Sequence, residues 1–522
     1  MVLPAPTASV YDRTLAVYIR SQDGNLLRCL GKYHEQIEST WDTIRAAVTL
    51  DASNTYQYLR VPFSDVKNGH GDIILDIYER RGDGTGIVGL ALLPGMSTYF
   101  IGDQSLDQFF ADLILKRIGA DALNWQEIVG PTNESTVTQI VSLFSDNLRH
   151  HAHNDQWEVK GREYFTNRVR FYVQQNATLQ LCLPAFPCKS SNPNKVLGTS
   201  PDKGEEIALR RLHRFVQRAE DLYPPGAKIS IISDGHVFSD CIGVDDETVD
   251  EYGARLQQLN RAISMEPGGK TDRVQFQSLV DLLDLRSYLG LTVDQPLKMP
   301  ELQHKLATIL DNTAEICRRI LVAGCQPPPE HLRAQIDSEE SSTLALYRGF
   351  SRFMVEDLDR HPLTEPLSRS QRKKLAAKVS FDMILRNQAY SNLVELLLPD
   401  YIRLSIHAHD NSGPKFGIRL FDPETIRAIT GLHCLGHPDR DSSDGIISAA
   451  HLLYIPTPWH NCIVRVDDDP MLYIMKYGAV KEAVSVHKYD LVLVDHDETK
   501  GEGAFIWLKR KRVPMSLSSK CG

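Results

Sequence analysis

A long polar loop at residues 181–206 contains side chains well suited to hold an anion. It carries Lys189, Lys195 and Lys203, with hydroxyl and amide side chains between the first two. Fixed ammonium groups, hydroxyls and the N-terminus of a following helix suit an anionic ligand, most simply a phosphate. The loop is therefore a candidate phosphate site. The alternative is an ordinary surface loop whose lysines only keep it soluble.

A second polar segment follows a short apolar run. The β-branched side chains of Ile229, Ile231 and Ile232 are typical of a strand that is buried on both faces. The run ends in Ser233-Asp234-Gly235, and Asp240 follows five residues after Gly235. These carboxylates are candidates for charge balance or proton transfer. The alternative is turn chemistry, because Asp-Gly favours tight turns.

A third polar set alternates along an apolar strand at residues 401–406. Arg403, Ser405 and His407 share one face of it, which indicates a polar pocket because such groups are costly to bury without partners. Arg403 is suited to hold a carboxylate or phosphate, and His407 to act as a general acid or base. Two alternatives stay open: an edge strand that faces water, and a metal bound by His407 and His409.

The predicted elements bring the first two segments together. A strand near residues 179–183 enters the lysine loop, and a helix follows with Ser200 as its predicted N-cap and Pro201 as its first residue. Its apolar face recurs at helical spacing, and the isoleucine strand comes next. A strand, helix and strand of this length form a right-handed crossover, which places both polar segments at one edge of a parallel sheet.

These segments and later ones resemble the isocyanide (isonitrile) synthase family, which includes pyoverdine- and paerucumarin-type synthases and the yeast spore-wall dityrosine protein. The resemblance covers roughly residues 135–510 and indicates a fungal member. Cys188 stands where the family pattern has an aromatic residue, which affects substrate choice more than chemistry. The matching motifs are Leu183-Pro184-Ala185-Phe186-Pro187, Pro201-Asp202, Ser233-Asp234-Gly235, Tyr347-Arg348-Gly349-Phe350, Arg403-Leu404-Ser405-Ile406-His407 and Thr457-Pro458-Trp459-His460-Asn461.

The resemblance implies conversion of the amino group of an L-amino acid, favourably tyrosine or tryptophan, to an isonitrile. Ribulose 5-phosphate is the expected carbon donor and co-substrate, with no metal and no other cofactor. A separate downstream tailoring enzyme is the expected pathway partner. Asp234, His407 and His460 are the predicted catalytic residues. The predicted substrate-binding residues are Lys189, Lys195, Ser233, Asp240, Arg348, Arg403 and Ser405.

Two other functions stay open at this point. One is an N-formyl-amino-acid synthase, such as a formyl-tyrosine synthase for spore-wall dityrosine, on the same fold. The other is a non-catalytic phosphosugar or amino-acid binding protein. No Gly-x-Gly-x-x-Gly segment leads from a strand into a helix, and no Gly-x-x-x-x-Gly-Lys-Ser/Thr loop is present, which disfavours dinucleotide and nucleotide sites.

The strand–helix–strand pattern and the resemblance together imply the architecture of the 522 residues. They imply an α/β protein with a Rossmann-like, mostly parallel sheet core at about 135–440, a C-terminal β-rich section at about 441–512 and a tail at 513–522. Residues 1–134 predict a small α+β attachment, with helical spacing around Leu26 to Ile44 and a hairpin at 71–93. A net charge of −9 argues against nucleic-acid or anionic-membrane partners, and nine scattered cysteines suit a reduced, cytoplasmic protein.

Overall fold

The structure, a computed structural model, describes the chain from Val17 to Lys511 with gaps. The described elements form an N-terminal antiparallel sheet, a central parallel sheet with helices, and a C-terminal mixed sheet. The residues outside the description are 1–16, 21–25, 30–55, 63–72, 82–84, 95–98, 102–103, 107–108, 111–112, 114–132, 152–153, 175, 267, 271, 286–299, 399–400, 408, 414, 430–455, 486–488, 496, 498–500 and 512–522.

The N-terminal sheet has the strand order β2-β1-β5-β4-β3. The predicted hairpin is confirmed, because β4 and β5 pair in antiparallel register. The helical spacing around Leu26 was misleading: residues 26–29 form a strand, whose backbone groups are satisfied by pairing with β1 rather than within a helix. The strands are β1 (Val17–Arg20), β2 (Leu26–Cys29), β3 (Tyr56–Pro62), β4 (Ile73–Arg81) and β5 (Thr85–Pro94).

Parts of other early predictions lie outside the described residues. These are the rest of the helical spacing up to Ile44, the domain boundaries near 134 and 440, and the tail at 513–522. Beyond β5, a two-stranded ribbon forms from β6 (Phe100–Ile101) and β7 (Gln104–Ser105).

The central sheet is parallel throughout, with the order β10-β9-β8-β11-β12. The strand order reverses between β8 and β11, and open α/β sheets bind ligands in the crevice outside the carboxyl ends of strands at such a point. The predicted α/β class with a mostly parallel sheet is confirmed. The strands are β8 (Leu179–Pro184), β9 (Ala227–Ile232), β10 (Val274–Gln277), β11 (Ile402–Ser405) and β12 (Lys415–Gly417).

Helices cover both faces of this sheet, so alternate side chains of β8 enter two cores. Leu181 and Leu183 pack on one face, whereas Cys182 packs on the other. The helices are α1 (Glu134–Ser145), α2 (Arg162–Gln174), α3 (Lys203–Leu222), α4 (Gly235–Ile242), α5 (Asp246–Ser264), α6 (Leu279–Leu282), α7 (Asn312–Cys325), α8 (Pro329–Asp337), α9 (Ser341–Asp357) and α10 (Arg369–Leu397), with a π-helical turn at Trp157–Gly161.

The predicted start of α3 was two residues too early. Its N-cap is Asp202 rather than Ser200, because the Asp202 carboxylate accepts a hydrogen bond from the Gly204 N–H at 2.8 Å. Glu205 in turn accepts from the Asp202 N–H at 2.8 Å, which completes a capping box. The apolar face of the helix is confirmed, since Ala208, Leu212, Phe215 and Ala219 are buried.

The C-terminal sheet is mixed, with the order β13-β15-β14-β17-β16. It confirms the predicted β-rich section, in which β14 and β15 pair in antiparallel register. None of the described helices combines the length and apolar character needed to cross a bilayer. The elements are β13 (Ile426–Ala428), β14 (Cys462–Val466), β15 (Leu472–Met475), α11 (Tyr477–Ser485), β16 (Tyr489–Val494) and β17 (Phe505–Arg510), with a 3-10 turn at Pro458–His460.

Candidate active site

The loops that leave β8 and β9 touch at the carboxyl edge of the central sheet. The Ser233 hydroxyl donates to the Phe186 carbonyl at 3.1 Å. Gly235 approaches so closely that a Cβ there would collide with the carbonyl oxygen of Pro187. The crossover expected from the sequence therefore exists, and it brings the lysine loop and the Ser-Asp-Gly turn side by side.

Lys189 is buried at the base of this site and fully engaged by the chain itself. Its Nζ donates to Asp202 Oδ2 at 2.8 Å, to Glu205 Oε2 at 2.8 Å and to the Pro458 carbonyl at 2.9 Å. Burial alone would lower the pKa of Lys189, but the two carboxylates outweigh burial and raise it. All three ammonium protons are used, so Lys189 holds the loop, α3 and the 3-10 turn together.

Lys195 is likewise paired inside the protein. Its Nζ lies 2.7 Å from Asp357 Oδ1 and 4.1 Å from the centre of the Phe353 ring. The Ser190 hydroxyl donates to the same Asp357 oxygen at 2.6 Å. Burial opposes ionisation of Asp357, but Lys195 outweighs it, and the pKa of Asp357 is lowered. The predicted role of both lysines as phosphate ligands stays a prediction, because their observed partners are carboxylates of α3 and α9.

Asp234 is placed differently from these paired groups. It occupies the N-cap position of α4, yet its side chain makes no cap hydrogen bond. Its Oδ1 atom is buried and accepts no hydrogen bond within the described part of the chain. Burial raises the pKa of the Asp234 carboxyl to about 7. A carboxyl group that titrates near neutrality in a strand-end crevice has the properties of a general acid or base.

His460 lies in the 3-10 turn, next to the Lys195–Asp357 pair. Its ring meets the Phe353 ring edge-on at 4.7 Å, and its Nδ1 is buried without a hydrogen bond among the described residues. Burial lowers the pKa of His460 to about 3, although Asp357 opposes that shift. The imidazole is therefore neutral at physiological pH. It can accept or donate a hydrogen bond, but it is poorly suited to be a cationic acid.

Three further buried oxygens near these groups accept no hydrogen bond from the described residues. They are Gln277 Oε1 at the end of β10, Thr457 Oγ1 before the 3-10 turn, and Glu356 Oε2 at the end of α9. Buried polar atoms normally have partners, so Gln277 and Thr457 each indicate a place for a ligand or bound water, whereas Glu356 Oε2 lies 3.6 Å from the Lys195 ammonium. No sequence pattern had marked Gln277 or Thr457 as candidates, although Thr457 begins a motif already noted.

The end of β11 completes the edge of the sheet. Arg403 is buried, and its Nη1 donates to the Ser391 carbonyl at 3.1 Å. Ser405 Oγ lies 2.8 Å from His409 Nε2. The His407 side chain is exposed, but the protein atoms around its ring lower its pKa to about 4. The structure therefore places Arg403, Ser405 and His407 at the predicted edge but with unequal burial.

Tyr390 of α10 connects the β11 end with Asp234. Its hydroxyl donates to the Ile232 carbonyl at 3.0 Å, one peptide before the Ser-Asp-Gly turn. Burial raises the pKa of the Tyr390 hydroxyl well above its usual value, and the negative charge of Asp234 raises it further, while Arg403 lowers it. Tyr390 is therefore within electrostatic reach of both residues. No periodicity or motif had marked it in the sequence.

Cys188 is buried in the loop after β8. Burial, together with the charges of Asp234 and Asp357, raises the pKa of its thiol to about 12. The thiolate is therefore scarce at neutral pH, which makes Cys188 a small packing residue rather than a nucleophile.

Two predicted substrate ligands lie apart from these groups. Arg348 is exposed on α9. Asp240 is fully buried on α4, and both of its carboxylate oxygens accept hydrogen bonds from Arg386. Around His407 and His409, as elsewhere in the described ranges, no group of three or more His, Cys, Asp or Glu side chains is arranged to hold a metal ion.

Comparison with known proteins places this arrangement in context. A family model described as "Pyoverdine/dityrosine biosynthesis protein" matches residues 169–487. The spore wall maturation protein DIT1 of Saccharomyces cerevisiae is 43% identical over 369 residues, which is 70% of this chain and 67% of the yeast protein. An L-tyrosine isonitrile synthase of Xenorhabdus nematophila is 35% identical over 269 residues, 51% of this chain and 71% of that protein.

A solved structure shows the same fold. The crystal structure of PvcA from Pseudomonas aeruginosa superposes with a TM-score of 0.53 at 24% sequence identity. The match covers 72% of this chain and 99% of that one. The matched chain is thus almost wholly contained in the fold described above.

Proposed function

Because the chain belongs to the pyoverdine/dityrosine biosynthesis protein family, which includes isonitrile synthases, we propose that it is an enzyme that converts the amino group of an L-amino acid to an isonitrile. Ribulose 5-phosphate is the proposed carbon donor. Tyrosine and tryptophan are the proposed substrates, in keeping with relatives named L-tyrosine and L-tryptophan isonitrile synthases. A separate enzyme would then act on the reactive product.

One observation carries the catalytic part of the proposal: Asp234 is half-buried, its Oδ1 has no hydrogen-bond partner among the described residues, and its pKa is raised to about 7. An amino acid arrives as an ammonium ion and must lose a proton before its nitrogen can attack the ketone carbon. The attack forms a C–N bond, and loss of water then forms the imine. Asp234 can take the ammonium proton and return it to the departing hydroxyl group, because its pKa lies near the working pH.

The other predicted site residues receive supporting roles in this proposal. Arg403 would hold the amino-acid carboxylate, with Ser405 and His407 beside it at the end of β11. His460, neutral at physiological pH, would hydrogen-bond the substrate rather than protonate it. Lys189, Lys195 and Ser233 would shape the loop that faces the phosphosugar. The proposal involves no metal or redox cofactor.

A second product is favoured by one specific finding. The yeast relative at 43% identity is named a spore wall maturation protein, not an isonitrile synthase. The same condensation could therefore end in an N-formyl amino acid, such as formyl-tyrosine, if the isonitrile is hydrated or never completed. The two products differ by one molecule of water, so their masses distinguish them.

The test is incubation of the purified protein with uniformly ¹³C-labelled ribulose 5-phosphate and single L-amino acids, followed by mass spectrometry with and without a tetrazine trap. A trapped adduct that carries one labelled carbon supports the isonitrile. A labelled N-formyl product supports the alternative. Binding of ribulose 5-phosphate without its consumption would contradict both and indicate a non-catalytic binding protein.

Matched variants make this experiment specific for the site. Asp234→Asn keeps the shape of the side chain but removes its titration, so turnover should fall by about 10²–10⁴-fold. Asp221→Asn makes the same change at an exposed position near the end of α3 and should leave turnover unchanged. Equal activity of the two variants would remove Asp234 from the mechanism.

A further inference from the structure

Helix α4, which begins directly after Asp234, is held by two buried arginines from different helices. Arg386 of α10 donates to the Val237 carbonyl at 3.1 Å and binds both carboxylate oxygens of Asp240. Arg318 of α7 donates to the His236 carbonyl at 3.2 Å. Both arginines therefore reach backbone carbonyls in the first turn of α4, within three residues of Asp234.

Arg318 also belongs to an ion pair of its own. Its Nη1 and Nη2 donate to Asp246 Oδ1 and Oδ2, each at 2.8 Å. The Ser239 hydroxyl of α4 donates to the same Asp246 Oδ1 at 2.8 Å. The two pairs meet, since Arg318 Nε lies 3.9 Å from Asp240 Oδ1. A bidentate pair fixes the direction of the side chains as well as their distance.

Burying these charged side chains costs free energy of desolvation. Asp240, Asp246, Arg318 and Arg386 are all at most 3% exposed. Buried ion pairs often stabilise a protein no better than apolar residues of similar volume, because their desolvation offsets their attraction. Four such charges around one eight-residue helix therefore point to precise placement of that helix rather than to stability.

The position of α4 determines the position of Asp234, which is its N-cap residue. This residue could stabilise α4 by capping it with its own side chain, as N-cap aspartates commonly do, but it makes no such bond. Its side-chain direction is therefore set by the backbone of the turn and of α4. The ionisable groups that face it are Cys188 on the loop after β8 and Tyr390 on α10.

We infer that Arg386 and Asp240 are a positioning pair for the reaction: they hold α4 so that the Asp234 carboxyl points into the crevice. This inference rests on the proposed function, because it takes Asp234 as the acid–base group. It assigns Asp240 a role through Arg386 and α4, in place of direct contact with the substrate. Displacement of a catalytic group by about 1 Å can cost on the order of a hundredfold in rate.

The experiment compares Arg386→Lys and Asp240→Asn with the wild-type protein. Lys keeps the positive charge but loses the bidentate geometry. For both variants kcat should fall about ten- to a hundredfold, KM for each substrate should stay within about twofold, and the pH at half-maximal kcat should move. The double variant R386K/D240N should be no slower than the slower single variant, because the two residues act as one unit.

A matched control separates positioning from general stability. Arg273 is also buried and paired, with Glu220 at 3.0 Å from its Nε, but it precedes β10 at the opposite edge of the central sheet. Arg273→Lys should lower Tm and leave kcat and the pH profile unchanged. If R386K behaves like R273K, the pair is only structural and the inference is wrong. If D240N raises KM alone, Asp240 contacts substrate and the inference is also wrong.

A second readout does not depend on activity. In hydrogen exchange, R386K should increase the exchange of amides in residues 235–242 and leave α3 unchanged, whereas R273K should not affect α4. Unchanged protection of α4 in R386K would overturn the inference even if no substrate had been found. If the wild-type protein makes no product but α4 loosens as expected, the proposed function fails while the clamp on α4 stands.

Discussion

Asp234 combines two properties that rarely occur together in a stable protein. Its carboxyl is buried without a hydrogen bond to Oδ1 among the described residues, and burial raises its pKa to about 7. Its usual pKa is near 4 in an unfolded chain. Keeping such a carboxyl ionised costs free energy, and side chains with strongly shifted pKa values cluster at functional sites. Asp234 therefore also affects the stability of the protein as pH changes.

This cost predicts a pH-dependent gain in stability for Asp234→Asn. Between about pH 4 and 7 the folded state keeps a proton that the unfolded state has lost, so the free energy of unfolding falls as pH rises through this window. Asn is neutral at every pH. The stability of the variant relative to wild type should therefore be greater at pH 8 than at pH 5, by on the order of 1–3 kcal/mol.

The measurement is urea denaturation of both proteins at the two pH values. The exposed Asp221→Asn variant is the control, and its free energy of unfolding should follow that of wild type at both pH values. A constant difference between Asp234→Asn and wild type at both pH values would mean that Asp234 does not titrate in this window.

Two lysines of the same loop should differ in how much their replacement lowers the free energy of unfolding. Lys189 is enclosed by Asp202 and Glu205, so Lys189→Met would leave two buried carboxylates without their cation and cost about 3–5 kcal/mol of unfolding free energy. Lys203 is 24% exposed in its ion pair with Glu206, so Lys203→Met should cost no more than about 1 kcal/mol. Denaturation midpoints compare the two directly, and similar midpoints would refute the structural role of Lys189.

At the scale of elements, the turn between β9 and α4 depends on one close approach. Gly235 faces the carbonyl of Pro187 and the Val249 side chain, so an added Cβ would push the two strand-end loops apart. Gly253 on α5 has nothing within 4 Å of where its Cβ would be. These two helical glycines therefore form a matched pair for substitution.

Gly235→Ala should reduce both stability and turnover, because it displaces the Asp234 turn from the loop after β8. Gly253→Ala should instead stabilise the protein by about 0.5–1 kcal/mol, since alanine is the better helix former. Thermal unfolding and turnover measure both effects. A Gly235→Ala variant with normal activity would show that the contact between the loops does not position the site.

The elements also show which local patterns were informative. The apolar spacing of α3 and the isoleucines of β9 predicted the crossover, because the burial of one helical face and of a central strand leaves a local pattern. The N-cap of α3 was misplaced because Ser200-Pro201 and Asp202 with Glu205 are both plausible starts. Only the hydrogen bonds of the folded loop distinguish them.

At the scale of the whole molecule, the C-terminal sheet closes the site that the central sheet opens. The Ser190 N–H donates to the Trp459 carbonyl at 2.9 Å, and the Gly478 N–H to the Asn194 carbonyl at 2.6 Å. The Trp459 ring lies 5.2 Å from the Phe186 ring. The lysine loop is therefore held between the two sheets.

Removal of this cover should affect both folding and binding. Trp459 is 3% exposed, so Trp459→Ala should cost about 3–5 kcal/mol of unfolding free energy and raise KM by admitting water to the crevice. Trp507→Ala is the control: its indole donates to the Asp467 carbonyl at 2.8 Å in the C-terminal sheet and should not affect KM. Equal KM values for the two variants would argue against a covering role for Trp459.

The sequence by itself determined the class of fold, the crossover and the family, because strand and helix periodicity and the order of short motifs are local properties. It also indicated Asp234 and His460 as catalytic residues, and their joint role in one site stays a prediction. It did not reveal that Lys189 and Lys195 are already neutralised. Their carboxylate partners are 13, 16 and 162 residues away, and such distant pairings have no local signature.

The tertiary structure alone decided the electrostatics of the site. Whether a carboxyl titrates near pH 7 or an arginine orients a helix depends on what surrounds each group after folding. Burial raises the pKa of Asp234 at the N-cap of α4. Asp240, within α4, has both carboxylate oxygens bound by Arg386, which is 146 residues away in sequence. The chain carries the chemical groups in its sequence, but packing leaves Oδ1 of one aspartate without a partner among the described residues and places the other aspartate in an ion pair.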